Sequence, residues 1–508
     1  MTTQPPWLSS LQAILDAAQI EAAPDRLPSY AVDGRVPGVA VYPQSYDQVA
    51  ALLRWAQGER LAVLPRGSGT QITLGGCPTR ADVVLCTSQL NRIHEYDAAN
   101  FTCTAEAGVT LSQVARLCRE RLQTLPLQYS SSPATLGGII ATNAYTPKRL
   151  AYGGVGDLLL GIRVALPSGE IAHFGGKVVK NVAGYDMCKL FLGSLGSLGV
   201  ILEATFKLLA LPERDETLLA AFPSQQQGAD AAAHLLGTQL LPSQVLLLNP
   251  PAAGQLMDIF PEGMPSGRAV LLVNFEGTDE AIERQLSEMS QVCRARGAHA
   301  VRILSGDGQL QLRQRLEAAI TPLPQPSPRE EEADKGRYLA NALRQQMLSP
   351  LMGEGAGGGE AGGKGHLPAP VGAGEGTDEG GPALVLRLGT VPARVHTLME
   401  GITQLLAPCA PHAMIVGDCG VGLVKVCVRW SDMRARELRA QLAHAVADMP
   451  SLTATEGGYL LVEAAPLDLK ERLSVWGKLP SAFGLLKALK ARFDPEGILN
   501  PGRFIGGL

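Results

Sequence analysis

The chain is poor in aromatic residues and histidine, and it lacks basic runs, paired cysteines and long apolar stretches. Lysines and arginines are scattered through 508 residues of net charge −4, so there is no electrostatic footprint for nucleic acid. The nine cysteines (Cys77, Cys86, Cys103, Cys118, Cys188, Cys293, Cys409, Cys419, Cys427) include no C-x-x-C pair. Metal and cluster ligands are usually closely spaced, so these read as buried or free thiols in a reducing compartment. No apolar run approaches the ~20 residues that span a bilayer as a helix. The start, MTTQPPWLSSLQAILDAAQ, has neither a basic n-region nor a continuous apolar core, unlike a secretory signal. The expected location is cytoplasmic, with any membrane contact made through a partner.

Glycine and short β-type runs are plentiful. Tyr46 to Leu61 has helical apolar spacing, and LAVLPRGSGT after it reads as a buried strand entering a glycine loop. Strands are expected at Asp82 to Cys86 and Cys103 to Ala107, then a helix from Leu111 opened by Thr110, then strand, turn and strand around Pro167 to Glu170. Residues 30–212 therefore read as one mixed α+β domain, preceded by a helical extension over 1–29. A smaller α/β layer follows over 213–456, with strands at Thr217 to Phe222, Gln244 to Leu248 and Ala269 to Phe275. It is interrupted by a Pro/Gly-rich segment over 322–382, within which Gly353 to Gly381 holds 13 glycines in 29 residues. Such a segment buries too little apolar surface to offset its ordering entropy and reads as a flexible insertion, with a helix at Arg337 to Leu348. Strand and helix patterns resume at Leu384, so the insertion splits one domain. Residues 457–508 form a C-terminal segment with one more strand and a helix from Ser481 to Arg492.

Four stretches carry candidate chemistry. Pro65 to Thr70 is a glycine loop at a strand end, where successive N–H groups suit phosphate oxygens; alone, it is more readily an ordinary tight turn. Pro133 to Asn143 (PATLGGIIATN) is a run of small residues that lets a ligand approach the backbone. Lys180 to Asp186 leads into Gly193 to Ile201, and the tail carries Asp494-Pro495 and Asn500 to Arg503.

In that order, the four resemble the FAD-binding domain of the vanillyl-alcohol-oxidase, or PCMH-type, family. Within it the tail, with Trp476-Gly477, Lys490, Phe493 to Pro495 and Asn500 to Phe504, is similar to the FAD-binding E subunits of glycolate oxidase. The resemblance implies an α+β fold: a PCMH-type FAD-binding domain of two small α/β subdomains, a short α/β cap, and a C-terminal segment returning to the flavin. It implies that Arg66, Gly67, Ser68, Gly69, Thr70 and Gln71 hold the FAD pyrophosphate. Pro133, Thr135, Gly137, Gly138 and Asn143 would line the diphosphate, ribose and flavin, with Val200 and Ile201 beside adenine and Asn500 at the flavin. Thr70 stands where some members attach flavin through a histidine, so FAD is expected to be noncovalent.

Relatives acting on D-2-hydroxy acids carry an H-x-G-D-G-N-x-H segment in the cap. The nearest stretch here, His412 to Val424, keeps Gly417 and Asp418 but neither histidine. His412 reads as a surface residue near a turn, and Tyr185 and Asp186 as structural, the one packing and the other capping. No catalytic residue and no metal site is nominated. The resemblance implies a subunit of a glycolate (D-2-hydroxy acid) oxidase or dehydrogenase complex, passing electrons beside a catalytic FAD subunit and an iron–sulfur subunit. A self-sufficient flavin oxidase for another small alcohol or hydroxy acid, and a flavin-domain scaffold, stay open.

Overall fold

The computed structural model describes residues 5–127, 133–177, 185–260, 268–320, 382–433, 436–453 and 457–508. The insertion, including Arg337 to Leu348, and the Lys180 to Gly184 part of the third motif lie outside the described residues.

The first domain holds two main sheets. β1 (Ile20–Glu21), β2 (Val39–Val41), β3 (Val63–Arg66) and β4 (Val83–Cys86) are ordered β1-β2-β4-β3, with β2, β4 and β3 parallel. The helix Tyr46–Gly58 makes the crossover and buries Val49, Leu52 and Leu53; Ser45 caps it by accepting a bond from the Gln48 N–H at 3.2 Å. β1 belongs to this sheet, so the N-terminal extension is short helical turns plus a strand, not helix alone.

The second sheet takes β5 (Ile93–Asp97), β6 (Thr102–Glu106), β8 (Leu159–Ala165), β9 (Ile171–Gly175) and β10 (Val200–Lys207) in the antiparallel order β5-β6-β10-β8-β9. β7 (Gln123–Thr124) and β11 (Leu209–Ala210) form a small separate ladder. Thr110 and Gln113 make a reciprocal capping box on the helix Leu111–Arg119, as the sequence predicts.

The cap is built on the largest sheet. β12 (Arg214–Phe222), β13 (Pro242–Leu248), β14 (Ala269–Gly277), β15 (Ala300–Leu304), β16 (Pro382–Gly389), β17 (Met414–Asp418), β18 (Leu423–Arg429) and β19 (Tyr459–Ala464) run β15-β12-β14-β13-β17-β18-β16-β19, antiparallel throughout. Strands on both sides of the undescribed segment share this sheet. β19 is an edge strand of the cap, and the C-terminal segment from 457 therefore completes the cap before it turns back to the first domain.

One face of the cap sheet is covered by the helices Gln225–Leu236, Asp279–Ala295, Val395–Leu406 and Arg436–Thr453 over a single apolar core. The opposite face, with Leu246 and Val416, is only partly covered by the helix Gly306–Ile320 and looks towards the first domain. A buried ionic joint fixes that orientation. Lys148, from the first domain, bonds Asp215 of β12 at 2.8 Å and also Glu276 of β14, while Arg313 holds the far side of Asp215 at 2.7 Å.

Candidate functional site

The glycine loop and the small-residue helix meet at the end of β3. Thr135 is the N-cap of the helix Leu136–Thr142, its Oγ1 accepting from the Gly138 N–H at 3.3 Å. Gly67 packs against it so closely that a Cβ there would lie 2.1 Å from that oxygen. Gly69 has φ +75°, the left-handed region where only glycine is unstrained, and it turns the loop back over the helix terminus.

The tail supports the loop from beneath. The Leu499 segment bridges β3, the Asn500 N–H donates to the Val63 carbonyl at 3.0 Å, and the Asn500 amide donates to the Leu195 carbonyl. Buried Arg503 donates to the carbonyls of Ile72 and Leu74 at 2.5 and 2.6 Å, fixing the strand of residues behind the loop. The sequence motifs include Arg503, but reading it as a brace needs the tertiary contact.

Together these elements enclose a cleft of about 740 Å³ lined by Arg66 to Gln71, Thr135, Gly138 and Asn500. The remaining expected residues are elsewhere. Thr135, Gly138, Ile139 and Thr142 fall on one helical face towards the cleft, and the intervening Gly137 faces the Ala107 backbone instead. Asn143 is the left-handed C-cap at φ +44°, Pro133 is exposed, and Val200 and Ile201 pack into the cores on the two faces of β10. Small residues in a run do not all face a ligand, because a helix presents only one side.

The cleft fits a dinucleotide. Ser68 Oγ and Asn500 Oδ1 are buried, line it and have no hydrogen-bond partner among the described residues, which is costly unless a bound group supplies one. Arg66 is 2% exposed at the same place, its guanidinium 5.9 Å from the Tyr30 ring, and puts positive charge beside the N–H groups of the loop.

A second cavity, of about 1020 Å³, opens from the first where Gln71, Leu74 and Glu317 line both. Its floor is the open face of the cap sheet, with Leu246, Val416, Asp418, Leu423, Lys425 and Glu463; its walls are Tyr145 and the helix carrying Arg313, Leu316 and Glu317. Lys425 pairs with Glu463 at 3.0 Å, and Arg387 pairs with the same carboxylate at 3.0 Å. Burial alone would raise the Glu463 pKa, but Lys425 and then Arg387 hold it below the usual range. Glu317 is raised by burial, against the pull of Lys425. Asp418 is pushed up to about 6 by burial, although it accepts bonds from the Tyr145 hydroxyl and the Gly420 N–H. Tyr145, Arg313, Lys425 and Glu463 carried no signal in the sequence, since they come from separate elements with no fixed spacing.

Counting from Gly417 and Asp418, the two missing histidine positions fall on Ile415, buried in β17, and on Gly422, at φ +75° in the hairpin turn. A Cβ at Gly422 would meet the Thr390 carbonyl oxygen at 2.1 Å, so this turn excludes a side chain. His412 is exposed in the turn before β17. Among the described residues no group of three or more His, Cys, Asp or Glu is placed to hold a metal, and no His or Cys lines either cavity. Asp186 does cap the helix Met187–Phe191, but the expected packing of Tyr185 is wrong: it is 95% exposed beside the undescribed residues. All nine cysteines are free thiols, and eight are buried.

Comparison with known proteins agrees with this geometry. Residues 37–175 match the FAD binding domain family, and residues 211–326 and 433–504 match the C-terminal domain of FAD linked oxidases. The chain is 28% identical over 492 residues to glycolate oxidase subunit GlcD of Bacillus subtilis, covering 96% of this chain and 92% of that one. It is 32% identical to D-lactate dehydrogenase of Archaeoglobus fulgidus over 54% of this chain and 63% of that one. The fold matches crystalline p-cresol methylhydroxylase at a TM-score of 0.67 and 16% identity, covering 98% and 95% of the two chains.

Proposed function

Since the chain belongs to the FAD linked oxidases of PCMH type and is an FAD-dependent oxidoreductase, we propose that it serves as an FAD-binding subunit of a glycolate-type (2-hydroxy acid) oxidase or dehydrogenase complex. The observation that carries this reading is the continuity of the two cavities. A cleft shaped for a dinucleotide opens directly onto a chamber bordered by Arg313 and Lys425, whose charge favours a carboxylate. The likeness to a glycolate oxidase subunit runs over nearly the whole of both chains, which supports the complex as its setting.

FAD, when bound, supplies the two-electron acceptor. The chain's own part is to hold it: loop N–H groups and Arg66 towards the phosphates, Ser68 and Asn500 as polar partners, Thr135 and Gly138 as the close backbone surface. Thr70 lies in the cleft and cannot form a histidyl link, so attachment is noncovalent. The lack of both cap histidines favours the E-subunit role, with electrons passed between this flavin, a catalytic FAD subunit and an iron–sulfur subunit. No described helix is long and apolar enough to cross a membrane, and we place the chain in the cytoplasm, meeting a membrane only through partners.

A second reading, a dehydrogenase that needs no partner, is favoured by Asp418 in the chamber. A scaffold without flavin is disfavoured, because it leaves Ser68 Oγ and Asn500 Oδ1 buried with no partner among the described residues. Copurification from the native host tests the subunit role. The expected result is a complex with two flavoprotein chains and iron; a single chain carrying FAD and oxidising glycolate at full rate contradicts it.

A further inference from the structure

We propose that Tyr145 and Asp418 together accept the hydroxyl proton of a small hydroxy acid held in the chamber beside the FAD cleft, so that this chain carries an oxidation site of its own. The inference rests on the reading of the chamber as a hydroxy-acid site. The other carboxylates that line it are committed or quenched: Glu463 is shared by Lys425 and Arg387, and buried Glu317 favours its protonated form. Among the described residues Asp418 has no cationic partner in hydrogen-bond contact. It is 2% exposed on the chamber floor at the end of β17, its Oδ1 fixed by the Gly420 N–H at 3.1 Å and its Oδ2 accepting from the Tyr145 hydroxyl at 2.5 Å. Tyr145 lines the chamber wall and Asp418 its floor, so the hydrogen-bonded pair borders the chamber.

The step balances with FAD as oxidant. The substrate O–H bond breaks and its proton moves to the Tyr145 oxygen as the tyrosyl proton moves to Asp418 Oδ2. The adjacent C–H bond breaks with its electron pair going to FAD, and a C=O bond forms. Burial raises Asp418, while the Tyr145 hydroxyl, the Gly420 and Val421 N–H groups and Arg149 pull it down; the Cys419 thiol is its chain neighbour, and Lys425 of β18 has its Nζ 5.8 Å from the Tyr145 ring centroid. Leu246 of β13, opposite Asp418 in the sheet, adds no charge. At neutral pH the carboxylate is ionised and able to accept a proton.

The test uses the holoprotein, with any copurifying partners, and oxalate as a non-oxidisable probe of the chamber. Oxalate is expected to perturb the flavin absorbance. Anaerobic glycolate is expected to bleach the flavin at a rate that rises through about pH 6 to a plateau. In Asp418→Asn, which keeps the Gly420 bond, bleaching should slow by about 10²- to 10³-fold while FAD content and oxalate affinity stay within roughly 3-fold. Tyr145→Phe, which preserves the packing, should slow bleaching by about 10-fold or more. Bleaching of Asp418→Asn at the wild-type rate, or oxalate binding without bleaching by glycolate, D-lactate or D-2-hydroxyglutarate, would overturn the inference. Absence of any oxalate effect would instead overturn the hydroxy-acid reading of the chamber.

Discussion

Replacing Gly67 by alanine should damage FAD binding through one identifiable contact. The added Cβ would lie 2.1 Å from Thr135 Oγ1 and 3.3 Å from Thr135 Cβ, and no pair of carbon and oxygen atoms tolerates the shorter distance. Thr135 can relieve it by rotating its hydroxyl away, which breaks the 3.3 Å bond from Gly138 and costs about 1 kcal/mol of helix cap. Otherwise the loop must lift away from the helix, opening the cleft where two backbone surfaces converge on the cofactor. Either route should weaken FAD at least ~10-fold, about 1.4 kcal/mol. Titration of the apoprotein by flavin fluorescence measures this, with Gly58→Ala as a control because a Cβ there meets nothing within 4 Å. If the clash acts through Thr135, Gly67→Ala should add little to Thr135→Ala. Binding by Gly67→Ala within twofold of wild type, or fully additive effects of the two substitutions, would refute the reasoning.

Lys148→Met should loosen the cap, because it leaves the buried Glu276 carboxylate without its cation and Asp215 with Arg313 alone; a loss of about 3–5 kcal/mol is expected in urea unfolding. The double variant with Glu276→Gln should recover much of that loss, and equal destabilisation in both would contradict it. Asp418 also makes stability depend on pH. Its folded pKa of about 6 lies above the unfolded value, so its contribution is fully present below the unfolded pKa and is lost as pH rises through about 6, by an amount of order 3 kcal/mol. Asp418→Asn should therefore flatten the stability profile between about pH 4 and 6; an unchanged slope in thermal melts argues against the buried ionisable carboxyl.

Much of the fold was legible because its signals are local. The helix at Tyr46, the helix start at Thr110 and the strand from Thr217 to Phe222 depend on neighbouring residues, and each forms as read. The cleft was legible to the extent that a motif presents its own backbone: the loop from Arg66 to Gln71 and the helix start at Thr135 line it. Gly137, Val200 and Ile201 came from the resemblance alone, and helix phase and burial in a central strand keep their positions off the cleft lining. The chamber was hardly legible at all. Tyr145, Arg313, Asp418, Lys425 and Glu463 come from five segments that meet only when the cap sheet docks, and no spacing encodes that meeting. Asp418 alone had a trace, as the surviving acid of a motif whose histidines are gone.

The central claim is that this chain holds FAD, without a covalent bond, in the cleft between the glycine loop and the helix at Thr135. Acid precipitation of the purified protein, followed by flavin quantification in pellet and supernatant, tests it most directly. Close to one FAD per chain is expected, all of it in the supernatant. Flavin retained in the pellet would contradict noncovalent attachment, and a colourless protein that takes up no added FAD would contradict the site itself.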